Sequence, residues 1–326
     1  MRKKEKTKKK SYYIENKGIR ALPHNIAVDF QRNKSIYLMC LPIVIWYIIF
    51  CYLPMGGLVM AFQDFKVAKG FFHSNWVGFK HFTQFFTGPY FTRLIKNTAQ
   101  LGILDILFNF PAPIIFALLL NEIGRKRFKK TVQTISYLPY FISMVVMCGI
   151  IKDFTEAGGL ISNAFSFWND GKSINLLGIA GAFKPIYIIS GIWQGLGYGS
   201  IIYLAALSGL DQQLYEAAQI DGANRWQQTL HITIPGLMPT ITIMLIMKMG
   251  TVFSVGADKV MLLYSPAIYE TADVINTYVY RVGLVDMNYS FSTAVGLFNS
   301  LVGTTMLLVT NWIAKKTTET STALNK

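Results

Sequence analysis

The chain is short of charge. Only 15% of its 326 residues are Asp, Glu, Lys or Arg, where a soluble globular chain carries about a quarter. Acidic residues are the scarcer kind, 17 against 31 basic ones, for a formal net charge of +14. A charge deficit combined with long uncharged stretches excludes an ordinary soluble domain and places the chain in the membrane class. Cysteine is scarce too. Cys40, Cys51 and Cys148 fall in or beside apolar runs, and no spacing suggests a disulfide framework or a metal knuckle, so they read as small hydrophobes. His24, His73, His81 and His231 are scattered and no H-E-x-x-H occurs, which argues against a zinc site. Also missing is a phosphate-binding loop, G-x-x-x-x-G-K-[ST]. The nearest fragment, Gly171-Lys172-Ser173, has Ser166 where the first glycine should stand. The chain is therefore expected to be no enzyme, with no cofactor of its own, and to draw energy from a partner or an ion gradient.

The positive charge is concentrated in MRKKEKTKKK at the start and in GRKRFKK at 124–130, each near an apolar run. Clusters flanking spans act as topology signals and anionic-lipid contacts, so nucleic acid is not expected as a partner and membrane lipid is. Six stretches approach the ~20 apolar residues that a transmembrane helix needs: 36–62, 97–120, 131–151, 185–207, about 236–255, and 291–314. The first is too long for the h-region of a cleavable signal and is expected to remain as a span. Pro54, Gly56 and Gly57 should bend or interrupt its far end. The fourth is rich in Gly and Ser, which marks close helix packing. The expected fold is an all-α membrane protein: a basic tail over 1–35, a six-span body over 36–314 and a tail over 315–326.

Lys and Arg in the connections set the orientation. The N-terminal cluster, Arg125 to Lys130, Arg225, and Lys315, Lys316 and Lys326 share one side. The positive-inside rule puts that side, and both termini, in the cytoplasm of a multi-pass membrane protein. The stretch 71–94 then lies outside; its Phe residues, Trp76 and Tyr90 suit an interfacial segment more than a docking surface for an outside partner.

Between spans four and five the chain turns polar over 208–236. Asp211 can cap a helix from about Gln212 that carries Glu216, Ala217 and Ala218. Asp221-Gly222 breaks it. A second helical stretch, NRWQQTLHI, sets Trp226 and Leu230 four apart on one face, and Pro235 stops it or opens the fifth span. A helix-turn-helix for DNA needs a recognition helix free to enter a groove, and this one is tied to lipid at both ends. The residues alone leave a connector without a partner as plausible as a docking element.

The pattern Glu216-Ala217-Ala218, Gly222, Ile232, Ile234, Pro235 resembles the EAA loop of permease subunits in binding-protein-dependent ABC importers. The preceding IIYLAALSGLDQQLYEAA and the following Asp221-Gly222-Ala223 resemble the carbohydrate branch, which includes the maltose importer's permeases. FKKTVQTISYLPYF and LLYSPAIYETADVINTYVYRVGL are similar to the oligosaccharide subgroup for complex, often acidic, saccharides. The resemblance runs from about residue 34 to near the end. It implies a type I importer permease forming half of a membrane pathway. The other parts would be a second, homologous permease, two cytoplasmic ATPases that bind ATP and Mg, and an extracytoplasmic solute-binding protein. Glu216, Ala217, Ala218, Asp221, Gly222, Ala223, Ile232 and Pro235 would then form the ATPase-coupling element.

Ionisable residues inside spans are costly and mark function by default. Asp105 and Lys248 qualify, either as a structural pair or with Lys248 lining a path for an anionic or hydroxyl-rich sugar. Asn109, Trp193, Gln194 and Tyr198 are further candidates for that path. Two other functions compete with an ABC sugar permease. One is an ion-gradient-driven secondary transporter, for which no clear internal repeat is found. The other is a membrane sensor that transports nothing.

Overall fold

The computed structural model describes residue 29, residues 33–167 and residues 171–324; the basic N-terminal cluster, His24 and Lys326 lie outside that set. The described chain is almost wholly helical, with one two-stranded hairpin pairing Gln63–Asp64 antiparallel to Asn75–Trp76. Contacts divide it into a unit ending at Val59 and a body from Met60 onward. Among the described residues, five helices are long and apolar enough to cross a membrane, and a sixth crossing results if a pair of helices bent by 97° counts as one span.

The first of these helices, Lys34–Phe62, changes its hydrogen-bonding register where Pro54 lies ahead. An α-helix (Lys34–Tyr47) gives way to a π turn (Ile48–Tyr52), a short α turn (Leu53–Met55) and a 3-10 stretch (Gly56–Phe62). Proline cannot donate to the carbonyl four residues back, and a widened turn absorbs the loss. The same device recurs in the body. A π turn at Asp105–Asn109 precedes Pro111, and another at Thr229–Thr233 precedes Pro235.

Two expectations about the spans need correcting. The third was expected as one helix over 131–151, but the chain instead forms Lys126–Phe141 and Met144–Ser166 with a sharp bend between. Pro139 opens a 3-10 turn there, and Ser143 starts the second helix by accepting the Val146 N–H at 3.4 Å. The fifth was expected from about Gly236 to Val255. The helix begins earlier, at Arg225, passes through Pro235 without stopping and ends at Gly250.

The body packs through small residues, as the composition of the fourth span (Phe183–Ser208) suggests. A side chain at Gly197 would collide with the Ser136 carbonyl of the third span, and one at Gly199 would meet Pro113 of the second at 3.0 Å. Near one end of the bundle, Ala117, Tyr203, Leu207 and Leu237 join spans two, four and five. A larger core around Leu101, Met147, Phe183 and Val260 holds the other half. The segment 71–94 divides its aromatics between core and surface. Phe85 is buried against Phe91, Phe291 and Phe298, while Phe72, Trp76 and Phe79 are exposed.

Candidate functional site

Three polar regions stand out along the second span, Phe91–Glu122. At about 1.5 Å per residue this helix is roughly 48 Å long, enough to carry both ends beyond a ~30 Å hydrocarbon core.

At its Glu122 end lies the polar loop. Gly209 ends the fourth span, and Asp211 caps the helix Gln212–Ile220 by accepting the Gln213 N–H at 2.9 Å. Gly222 turns the chain with φ +81°, a left-handed conformation that costs other residues about 1–2 kcal/mol. Asn224 then starts the next helix with a capping box: its side chain accepts the Gln227 N–H at 2.9 Å, and Gln227 accepts the Asn224 N–H at 2.8 Å. The loop folds back on itself through Tyr215 and Thr233, whose hydroxyls are 2.9 Å apart. Arg225 reaches Glu122 at 3.0 Å, tying the loop to the second span. Glu216 and Ala217 are exposed, and so are Leu214, Ile220, Trp226 and Leu230. Ala218, Asp221, Gly222, Ala223 and Ile232 share the rim of a shallow groove between the two helices. Pro235 sits beyond it, at the start of the α-helical part of the fifth span.

Midway along the second span, Asp105 forms an ion pair with Lys248 of the fifth. Asn109, at the end of the same π turn, donates to the Asp105 carboxylate at 2.8 Å. Its own carbonyl oxygen is buried without a partner. Gly191 of the fourth span leaves the room that the Asn109 amide occupies. A cavity of ≈ 330 Å³ opens beside the pair, lined by Asn109, Pro113, Tyr203, Lys248 and Thr251. The structure thus brings Lys248, Asp105 and Asn109 together.

The other path candidates face elsewhere. Gln194 donates to the Ile142 carbonyl at 3.4 Å, and Tyr198 stacks on Tyr140 with centroids 3.7 Å apart. Both therefore serve the break in the third span, where a backbone carbonyl is left without its helical partner. Trp193 lines a separate, wholly apolar cavity of ≈ 470 Å³ with Ile150, Phe154 and Phe165.

Sequence reasoning missed the third region, at the Arg93 end. Asp273, completely buried, receives Arg93 at 3.2 Å and Arg281 at 2.7 Å on one carboxylate oxygen. Its other oxygen takes Arg281 at 3.3 Å and the Thr277 hydroxyl at 2.9 Å. Burial works against charge on Arg281, but the hydrogen bonds and charge of Asp273 more than offset it and raise its pKa further. Asn97, also buried, donates to the Glu270 and Asp273 carbonyls and accepts from Lys184. Lys259 is buried too, donating to the Tyr187 carbonyl at 2.7 Å over that residue's ring.

Comparison with known proteins fits this architecture. Residues 109–319, about two thirds of the chain, match the family model described as binding-protein-dependent transport system inner membrane component. Protein LplB of Bacillus subtilis (strain 168) is 41% identical over 88% of this chain and 90% of its own length. From the same organism, the polygalacturonan/rhamnogalacturonan transport system permease protein YteP is 44% identical over 89% and 91%. Among solved structures, a bacterial ABC transporter involved in import of the acidic polysaccharide alginate aligns with TM-score 0.83 at 42% identity, covering 90% of this chain and 99% of that one. A bacterial alginate ABC transporter in complex with alginate pentasaccharide-bound periplasmic protein aligns with TM-score 0.82 at 43% identity, over 89% and 97%. The chain belongs to the family of binding-protein-dependent transport system inner membrane components and is a multi-pass membrane permease of the ABC importer type.

Proposed function

We propose that the chain is one of two permease subunits in an importer of acidic oligosaccharides, and that the loop between its fourth and fifth spans is where a cytoplasmic ATPase delivers energy. The observation that carries this reading is the loop's construction. The first of its two capped helices holds Glu216 and Ala217 exposed with Ala218 half-buried beside them, and the second helix is continuous with the fifth span. A push on such a loop moves a membrane helix as a rigid body rather than being lost in a flexible connector. The small alanines permit close approach, and Glu216 is exposed, with no ion-pair partner among the described residues, for charge-assisted bonds to the ATPase. Loop, both termini and ATPase lie in the cytoplasm on this reading, with ATP and Mg on two ATPase subunits and a solute-binding protein outside. The relatives named for polygalacturonan/rhamnogalacturonan and for alginate support an acidic cargo. Beside the Asp105–Lys248 pair, the cavity reaching Asn109 gives a place where such a cargo could meet polar groups within the membrane.

Glu216→Lys reverses the charge on the docking face, and Gly222→Asp puts a carboxylate and backbone strain at its turn. Either variant abolishes uptake while leaving substrate capture by the binding protein intact. Normal uptake in either sinks the coupling assignment. In vesicles, uptake follows ATP and ignores protonophores; the opposite result would make the chain a secondary transporter.

A further inference from the structure

The Asp273 cluster carries more cation than its own fold uses. Two guanidinium groups share one buried carboxylate, which leaves a net positive charge where a single arginine would leave none. Arg93 spends one nitrogen on Asp273, and its Nε is buried with no hydrogen-bond partner. Lys184 adds a further charge, held by the neutral amides of Asn97 and Gln100 rather than by a carboxylate. Neither arginine is sealed off: side-chain exposure is 30% for Arg93 and 24% for Arg281.

Tyrosine rings hold these cations in place. Arg93 lies over Tyr90 at 4.8 Å, and Arg281 over Tyr269 at 4.6 Å and Tyr278 at 5.6 Å. A guanidinium fixed between a ring and a carboxylate has little rotamer freedom left to lose on meeting another anion. Its fork of N–H groups matches a carboxylate. The position fits as well. Arg93 is in the first turn of the second span, whose last residue, Glu122, pairs with the coupling loop about 44 Å away. Lys184 is likewise at the end of the fourth span remote from that loop. The cluster therefore sits on the membrane face opposite the loop.

We propose that the Arg93–Arg281 pair, with Lys184 beside it, is an anion-binding station at the outer mouth that takes a uronate carboxylate of the incoming oligosaccharide, with tyrosines such as the exposed Tyr90 beside the sugar ring. The station rests on the acidic-cargo reading above. It concerns recognition at the entrance, separate from the pair inside the membrane.

The test uses the whole importer in proteoliposomes, with the binding protein outside and tetragalacturonate or its fully methyl-esterified form as cargo. Arg93→Gln keeps Arg281 on Asp273, so the buried carboxylate stays paired. It raises KM for tetragalacturonate about tenfold with kcat within twofold, and leaves the ester's kinetics unchanged. Because one binding protein serves both enzymes, its own preferences cancel in the variant-to-wild-type ratio. Arg93→Lys, which keeps the charge and loses the fork, falls between. Added salt raises KM of the wild type more steeply than that of Arg93→Gln, and this wild-type slope needs no variant to fold. Unchanged KM in Arg93→Gln, or no salt dependence in the wild type, overturns the station. So does an equal shift for both cargoes together with a higher binding-protein concentration for half-maximal ATPase, which makes the cluster a contact for that protein. A wild type that imports the ester and not the acid refutes the acidic cargo itself, and the station with it. A wild type that imports the acid while Arg93→Gln matches it refutes the station alone.

Discussion

The two ends of the second span are built on opposite principles. At the Glu122 end, the polar loop proposed to meet the ATPase is written in one contiguous stretch, and its bonds are mostly local. Asp211 caps Gln213, Asn224 and Gln227 cap each other, and Tyr215 meets Thr233 within the loop. Its tie to the rest, Arg225 to Glu122, is exposed. At the Arg93 end, the cluster draws residues 93, 97, 184, 273 and 281 from far apart, around a carboxylate with no exposure at all. The first end can be altered without disturbing the fold, which suits a surface made to be pushed by another protein. The second is fold and charge at once, so its substitutions act on stability and recognition together.

That contrast is broken most forcefully at Asp273. Asp273→Ala leaves two guanidinium groups crowded without their anion and frees the Thr277 hydroxyl. Stripping one partner from a buried charge network costs about 3–5 kcal/mol. The expected outcome is a large fall in thermal unfolding temperature and in the amount of folded protein recovered from membranes. Glu216→Lys, expected to block uptake, should leave the unfolding temperature where it was. If Asp273→Ala unfolds like the wild type, the two ends do not differ in the way described.

The pair inside the membrane tests the middle of the same helix. Asp105 and Lys248 are both partly exposed, so their loss costs less than that of Asp273. Asp105→Asn alone strands the Lys248 charge and lowers the unfolding temperature measurably. The double variant Asp105→Asn/Lys248→Met recovers most of that loss, because removing both members of an ion pair is often close to neutral. Stability recovered without uptake assigns the pair a part in transport. Recovery of both makes it a packing device.

The difference between the ends also explains what was legible from the residues. The apolar spans, the cap at Asp211 and the turn at Gly222 depend on neighbours within a few positions, so periodicity and spacing reveal them. The Asp273 clasp depends on tertiary contacts. Its only linear trace is Asp273, Thr277 and Arg281 at steps of four, one face of a short helix. That trace is silent about Arg93, 180 positions earlier in the chain. The bend in the third span was missed because apolar length alone does not distinguish a straight helix from a broken one. Pro139 followed by Ser143 was the available signal, a stop and then an N-cap. Trp193, Gln194 and Tyr198 were grouped with Lys248 by residue type, whereas their rotation about the fourth helix turns two of them to the break in the third span and one to an apolar cavity.

The smallest effect sharpens the comparison most, since it isolates local order in the coupling loop. Asp211→Ala removes an exposed N-cap, worth about 1 kcal/mol to the helix it starts. Because the helix Gln212–Ile220 is held by its cap and by few packing contacts, with none of its residues buried, that loss frays the loop and spares the bundle. Amide exchange should quicken over 212–220 with no change in the second or fourth spans. Uptake should fall only a few-fold, because an ATPase docked as proposed would re-form the helix by supplying the contacts it lacks. Asp211→Asn, which keeps a capping side chain, should restore both exchange and uptake. Slower transport with unchanged exchange would mean that Asp211 meets the ATPase directly, and the loop's order would then be set by its partner rather than by its own caps.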